Sequence, residues 1–560
     1  MSTGNLIFGS LRHYWKGHLG LLLGAFVASA ILSGSLVVGD SVRASLRKAA
    51  SQRLGQVESG LLGGDRWFTE NLATSQGAAP VILMQGSVSA ANGGVRANAV
   101  QVLGIDDAFW KLSPSGKPIT IEKSGLALNA ALAHKLNVKA GDTVLVRMEL
   151  PSVISRDAPL SGSTNQEVTM RRKISAVVEG EDFGGFQLAA SQTGSDTVFV
   201  PLADMQAELE KTGRINAILA GGSGFSMEKA EQTKSLEDFA IKITRVKGSA
   251  AEWELGTDRV FMDEVLSQKL LAKQAGAYGV ITYLVNGFTS ANGRTPYSMV
   301  TGIPDSVLQG KFKAPTEGSG PQSIFISQWL AEDHQLQVGG EISFRFFTVG
   351  LGRDLKEETA TYKVAGIVPM DNPDLTRAWT PNFPGVSDVD NCRDWTPGIP
   401  VKLDAIRDKD EKYWDNYRGT PKAFIMLSEG QKLWSNRFGN LTSLRFPDVG
   451  QEETALRTQL LDGMKLADVG LVPRLFKAEA GAAAKGSVDF GGLFVGLSMF
   501  LIGAALIFAA LLFLFTIEKR APQVGLLLSL GWTPKQARWA ILAEAGLVAI
   551  IGSALGIFGG

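Results

Sequence analysis

The hydrophobic positions of this chain fall into three long blocks almost free of charge, with a mixed stretch of several hundred residues between the first two. Residues 19–38 read LGLLLGAFVASAILSGSLVV, without a charged side chain. A helix needs ~20 apolar residues to cross a hydrocarbon core of ~30 Å, so this block predicts a membrane span. Residues 491–516 (GGLFVGLSMFLIGAALIFAALLFLFT) are a second uncharged block. A third runs from Ala540 to Gly560, with one acid, Glu544, near its start. The pattern therefore predicts spans at 19–38, 489–516 and 540–560, a short N-terminal flank at 1–18 and a loop at 517–539. The chain stops inside the third block, so a longer protein with an incomplete third span is expected.

The first block has a competing reading as a secretory leader, because Arg12 and Lys16 precede it and Ala28-Ser29-Ala30 resembles a cleavage site. An apolar leader segment is usually ~7–15 residues, and this one runs on past Ala30, which favours a span. The loop 517–539 carries Lys519, Arg520, Lys535 and Arg538 against Glu518, which places it in the cytoplasm. The 1–18 flank is then cytoplasmic and residues 39–488 are extracytoplasmic. Arg43, Arg47, Lys48 and Arg53 oppose this orientation, but the charge rule is weakest beside long translocated domains. Gly20 and Gly24, then Gly552, Gly556 and Gly560, recur at four-residue spacing, as small residues do where membrane helices approach closely. The alternative is that glycine is simply common in such helices. Trp15, Trp532 and Trp539 fall where an interfacial aromatic belt would lie.

Residues 40–56 place Val42, Leu46, Ala49, Ala50 and Leu54 at helical spacing between basic residues. They predict a stalk that continues the first span, or else an amphipathic helix on the membrane surface. Beyond it, short strand-like runs (144–148, 174–178, 197–200, 364–368) alternate with helical stretches (126–136, 202–212). The mixture predicts an α+β domain rather than a sandwich or a barrel. The domain repeats itself. Residues 129–148 (NAALAHKLNVKAGDTVLVRM) align with 327–346 (SQWLAEDHQLQVGGEISFRF), matching Leu132, Ala133, Gly141 and Arg147 to Leu330, Ala331, Gly339 and Arg345. Residues 173–178 (KISAVV) align likewise with 363–368 (KVAGIV). Two related subdomains are expected, 39–247 with the stalk and 248–488, the break lying near Gly221-Gly222-Ser223-Gly224. The aromatics of 379–434, among them Trp395, Tyr413, Trp414 and Trp434, read more readily as core than as an exposed binding surface.

Composition excludes more than it assigns. Lys+Arg and Asp+Glu balance at 55 each, giving no electrostatic footprint for nucleic acid. Cys392 is the single cysteine, so no intrachain disulfide can form, and His13, His18, His134 and His334 have no metal-site spacing. No phosphate-binding G-x-x-x-x-G-K-[ST] loop occurs, so the chain does not bind ATP in that way. Leu427-Ser428-Glu429-Gly430-Gln431 resembles the signature loop of transport ATPases but stands alone. Asp388-x-Asp390 starts like a calcium loop, and fails at Arg393 and Ile399, where glycine and glutamate are required. Gly221-Gly222-Ser223-Gly224-Phe225 lacks the final glycine of a nucleophile elbow. Asp408, Asp410 and Glu411 read as a solvated face. No catalytic residue, cofactor site or metal site is assigned, and the chain is not expected to be an enzyme.

Residues 517–560 (IEKRAPQVGLLLSLGWTPKQARWAILAEAGLVAIIGSALGIFGG) resemble the permease subunits of MacB/FtsX-type ABC transporters, which include the lipoprotein-releasing permeases. The resemblance rests on Lys519-Arg520, Val524-Gly525, Leu530-Gly531, Lys535, Arg538 and Glu544. Gln523 stands where those permeases usually have glutamate, and Leu528-Ser529 replaces a common Arg-Ala. GDSVRASL after the first span, LALNAALAHKLNVKAGDTV, PYSMV at 296–300 and DFGGLF at 489–494 look like their periplasmic core region. The resemblance implies helical spans plus a large extracytoplasmic α+β domain of the MacB periplasmic core kind, here with an internal repeat. It implies a separate cytoplasmic ATPase that binds the ATP, a bacterial inner-membrane location, and a dimer of permease halves. Glu518, Lys519, Arg520, Gln523, Val524, Gly525, Leu527, Leu530, Gly531, Lys535 and Arg538 would form the ATPase-coupling loop; a plain connecting loop is the alternative. Movement of the outer domain would serve export or extraction of a lipid-like, lipoprotein or amphiphilic substrate, or else activation of an extracytoplasmic enzyme by a non-transporting regulator.

Overall fold

A computed structural model of the chain describes residues 3–149, 167–188, 194–222, 224–313, 320, 322–349, 355–397, 399–486 and 490–560. Ser223, inside the expected glycine-rich break, and Asp489, at the head of the second expected span, lie outside them. The chain divides into two compact units, a helical one (1–54, 187–194 and 477–560) and a mixed one (55–186 and 195–476).

Among the described residues, the helical unit holds three helices long and apolar enough to cross a membrane. The first, Trp15–Leu54, is one unbroken helix of 40 residues. At 1.5 Å per residue it reaches roughly 60 Å, about twice the hydrocarbon core. Span and stalk are therefore one rod. The second, Phe490–Lys519, and the third, Pro534–Gly559, flank a short connecting helix, Ala521–Ser529. The third starts six residues before Ala540 because Thr533-Pro534-Lys535-Gln536 forms a capping box: the Gln536 side chain accepts from Thr533 N at 2.9 Å, and Pro534 occupies the first turn. Leu497, Phe500, Ile507, Phe515 and Ile550 stay exposed, a surface suited to lipid rather than water.

The mixed unit contains two rings of six strands each. The first is built from β1 (Ala79–Ala90), β2 (Arg96–Ile105), β3 (Gly125–Asn129), β4 (Thr143–Glu149), β5 (Glu167–Val178) and β6 (Thr197–Pro201). The second uses β7 (Tyr278–Thr289), β8 (Arg294–Ile303), β9 (Ser323–Ser327), β10 (Glu341–Val349), β11 (Leu355–Val368) and β12 (Ala423–Met426). The first closes in the order β1-β2-β6-β3-β5-β4-β1 and the second in the order β7-β8-β12-β9-β11-β10-β7. In both, the second and sixth strands pair in parallel, as do the third and fifth.

The correspondence extends to single hydrogen bonds. Both third strands carry a bulge against the fifth, at Leu126/Ala127 and at Ile324/Phe325. Each then runs into a short helix, Ala130–Leu136 or Gln328–His334, capped by Asn129 or Ser327 and ended by a left-handed residue, Asn137 or Gln335. Gly141 N donates to Ile174 O at 2.8 Å, and Gly339 N to Val364 O at 2.7 Å. Both glycines sit at positive φ, 97° and 91°, which explains why glycine recurs there.

Closed rings depart from the expectation of an α+β domain without a barrel. Closure comes from β1 and β7, each 12 residues long. The start of β1 pairs with Ala217–Gly221 and its end, on the same edge, with β4; β7 pairs likewise with Ser443–Pro447 and β10. One bent strand thus serves two partners, which strand-by-strand hydropathy does not reveal. The 126–136 stretch is also corrected: residues 126–129 are strand β3, wholly buried, and an uninterrupted apolar run does not distinguish strand from helix. The helix expected over 202–212 ends at Glu208. The second sheet begins at Ile241–Val246, ahead of residue 247, and Pro473–Arg474 pairs back onto Val57–Leu62 of the first. The core of the first ring merges with flanking strands of the second sheet in one apolar cluster, the second ring has a core of its own, and both rings lie in the same compact unit.

Candidate functional site

In the helical unit the first membrane helix is central. A methyl group added at Gly20 would lie 2.5 Å from Leu512 of the second helix, and one at Gly24 would strike Ala509. On the other side, a methyl at Gly552 would lie 2.6 Å from the Leu22 carbonyl, and at Gly556 and Gly560 it would strike the carbonyls of Phe26 and Ala30. The approaches at Gly552, Gly556 and Gly560 are backbone to backbone, which only glycine permits, whereas Gly20 and Gly24 pack against side chains. Gly496, Gly503 and Gly546, in the same spans, meet nothing within 4 Å, so abundance alone does not account for the stripes. Hydroxyls bind across the helices: Ser29 donates to Ser553 O at 2.9 Å, Thr516 to Gly17 O at 3.2 Å, and Ser35 and Ser498 lie 3.0 Å apart.

The segment expected to couple to an ATPase splits into two sets. Glu518, Lys519, Gly525, Leu530, Gly531, Lys535 and Arg538 are exposed, as are Leu526 and Leu528. Val524 is half-buried and Leu527 is buried. Gly531 takes φ 88° and ends the connecting helix, with Trp532 N donating to Leu527 O at 3.1 Å, so its requirement is conformational.

Arg520 is turned inward, and it organises a polar cluster that sequence spacing did not predict. Its Nη1 donates to Glu544 Oε2 at 2.7 Å, and its Nη2 donates to Glu544 Oε1 at 3.3 Å and to Ser10 Oγ at 2.6 Å. Its Nε donates to Gln523 Oε1 at 2.9 Å, and the guanidinium lies 4.4 Å from the Tyr14 ring centroid. His18 Nε2 lies 3.5 Å from Glu544. Arg520 and Glu544 are 3% and 2% exposed, so among the described residues their charges are compensated by each other and these neighbours. The cluster ties the N-terminal helix (Thr3–His13), the first and third membrane helices and the head of the connecting helix to one point. Glu544 stood out as the lone acid of its block; Ser10, Tyr14 and His18 carry no local signal, because only folding brings them there.

In the mixed unit, the expected solvated face of Asp408, Asp410 and Glu411 is corrected at Asp410. It is buried, holding Arg407 at 2.7 Å. Arg407 also donates to Asp333 at 2.7 Å, and Thr295 joins Asp333 to His334. Trp379, Trp395, Tyr413, Trp414 and Trp434 are all buried. Leu427–Trp434, which includes the signature-like LSEGQ, is a helix on the second ring whose Gly430 approaches the Gly302 backbone; packing explains that glycine. Burial opposes ionisation of Asp333, but hydrogen bonds from Lys409, Thr295 and Arg407 outweigh it and hold the carboxyl at about 2. A folded value below the ordinary ~3.9 stabilises above ~pH 4 and is lost as pH falls towards ~2. Tryptophan fluorescence across that window should show acid unfolding steeper in the wild type than in Asp333→Asn; coincident titrations would contradict the assignment.

Residues 494–560 match the family model described as FtsX-like permease C-terminal. No curated protein sequence matches the chain. Among solved structures, the periplasmic region of MacB from Actinobacillus actinomycetemcomitans is similar at 12% identity and TM-score 0.21, over 32% of this chain and 82% of that one. A domain assigned to a permease protein from Porphyromonas gingivalis is similar at 14% identity and TM-score 0.21, over 33% of this chain and 85% of that one. At that TM-score neither likeness bears on function. The membrane unit thus carries, in residues 494–560, a segment of the FtsX-like permease C-terminal type, where the resemblance read from the sequence is borne out.

Proposed function

We propose that this chain is the permease subunit of an FtsX/MacB-type ABC transporter, working with a separate cytoplasmic ATPase in a bacterial inner membrane. The observation that carries the reading is the connecting helix Ala521–Ser529. It lies between two membrane-spanning helices within the matched segment, with Gly525, Leu526 and Leu528 exposed. A short helix that leaves apolar residues uncovered between two spans is suited to receive a partner's surface. Lys519, Lys535 and Arg538 flank it and favour the cytoplasmic side.

In this reading the ATPase pushes on residues 517–539, the glycine-packed helices transmit the displacement, and the mixed unit outside performs the work. The matched strand orders and bulges support an ancestral duplication of the outer domain. The cargo would be a lipid-like, lipoprotein or amphiphilic molecule. Orientation is the premise most open to test. Cys392 is buried, so single introduced cysteines report cleanly. Val95→Cys should react with a membrane-impermeant maleimide in intact spheroplasts, and Lys535→Cys only after permeabilisation. The reverse pattern would remove the reading.

A further inference from the structure

Residues 369–422 join β11 to β12 in the second ring, a connection far longer than residues 179–196, which join β5 to β6 in the first. The ring fold does not need the extra length, and long connections in compact domains usually serve a function. A cavity of about 30 Å³ lies between β8 and the helix Asp408–Tyr417 of this connection. One water needs ~10–15 Å³, so the cavity admits a group of about three non-hydrogen atoms. Its wall reaches solvent at Arg418, whose side chain is 41% exposed. Two polar side chains of the wall are left without a hydrogen bond among the described residues. Lys422 is 3% exposed; its Nζ stands 3.8 Å from Asp410 and over the Trp329 and Tyr413 rings at 4.3 and 4.5 Å, and none of these accepts a hydrogen bond from it. Ser298 is 5% exposed, and its Oγ is likewise unbonded. Neither atom is sealed, since both keep accessible surface. The other charges of the wall are engaged: Asp410 accepts from Arg407 at 2.7 and 2.8 Å, and Arg418 donates to Asp390 O at 2.8 Å.

The first ring shows that the fold does not require a cation here. Val198 faces Leu128 as Ala423 faces Ile326, and Leu128 and Ile326 are equivalent in the repeat, so Lys422 matches Thr197. Thr197 is wholly buried, and its hydroxyl donates to Ser195 O at 3.2 Å. Tyr297 and Arg418, both in the cavity wall, hold φ at 35° and 52°, a cost that non-glycine residues bear mostly at functional sites. We infer that this cavity binds the carboxylate end of a small aliphatic acid, with Lys422 Nζ and Ser298 Oγ as its donors. A buried ammonium without a bonded acceptor is costly, and a charge-assisted bond to an anion offsets that cost. A carboxylate brings three non-hydrogen atoms, which the volume admits; a tetrahedral phosphate brings five. Tyr297, Trp395, Ile406 and Trp414 supply the apolar wall that suits an aliphatic chain. The inference stands on the mixed unit alone and is independent of the permease reading.

Saturation-transfer NMR on the full chain in a neutral detergent, at constant ionic strength, tests it with acetate and butyrate as probes and butyramide as the uncharged control. Burial lowers the Lys422 ammonium to about 8, so titrations near pH 6.5 keep it charged. Saturable binding of at least one acid, and none of butyramide, is expected. Tighter binding of butyrate would show that the aromatic wall holds the chain, and equal binding that the carboxylate alone is recognised; both support the proposal. Lys422→Thr, which installs the residue type of the matching position in the first ring, should weaken binding about tenfold or more, the loss of one charge-assisted hydrogen bond. Ser298→Ala removes the second donor with little change in packing and should weaken binding several-fold, which keeps the test open if the lysine variant does not fold. Lack of saturable binding by both acids, butyramide binding as tightly as butyrate, or binding that neither substitution weakens would overturn the proposal.

Discussion

Replacing Arg520 by methionine is expected to cost the helical unit about 3–5 kcal/mol, because it strands the Glu544 carboxylate in a site with no other permanent cation among the described residues. Glu544→Leu alone should cost a similar amount by stranding Arg520. The double variant, Arg520→Met with Glu544→Leu, should recover most of the loss, since an apolar pair of similar volume avoids desolvating two charges. Thermal unfolding of the four proteins in detergent forms a double-mutant cycle. Additive single effects would mean that the 2.7 Å pair contributes no coupling, and the proposed tie between the N-terminal helix, the spans and the connecting helix would be lost. Ionisable groups placed inside membrane helices are expensive enough to mark functional positions, and this pair sits beside the segment proposed to receive an ATPase.

Gly556→Leu is expected to destabilise by roughly 3 kcal/mol or more, at the upper end of overpacking effects, because the new side chain meets the Phe26 carbonyl and backbone cannot move aside as a side-chain tip can. At Gly546, ten residues earlier in the same helix, an added Cβ meets nothing within 4 Å, and Gly546→Leu should stay within ~0.5 kcal/mol of wild type. Proteolytic susceptibility or melting temperature in detergent separates the two. Equal effects would mean that the third helix does not dock on the first through its glycine stripe.

How far the sequence foretold this structure depends on whether a feature is local. The spans were legible because ~20 apolar residues in a row have few uses outside a bilayer. The ring correspondence was legible in part, because Gly141 and Gly339 each fill a left-handed position that tolerates little else. Ring closure was not, since it depends on β1 and β7 exchanging partners midway along one edge. Asp410 misled because a charge in a charged run reads as solvated until a distant partner, here Lys422 at 3.8 Å, is folded against it, and the burial of Arg520 against Glu544 at 2.7 Å likewise depends on a partner far along the chain. Lys422 is over the Trp329 ring at 4.3 Å, and burial brings its ammonium down to about 8, another effect with no trace in local composition.

The same inward and outward division decides which substitution tests the proposed coupling. Leu527 is buried, so a charge there would damage the bundle before it touched any partner. Gly525 faces open space and Leu526 is 60% exposed, so Gly525→Glu and Leu526→Asp change the surface and leave the packing alone. The most direct measurement is therefore recovery of an ABC ATPase with the tagged full chain from the native membrane, for wild type and for these two variants. The account predicts that wild type retains the ATPase and that both variants lose it while melting like wild type; an ATPase that remains bound to both, or that never accompanies the wild-type chain, would contradict it.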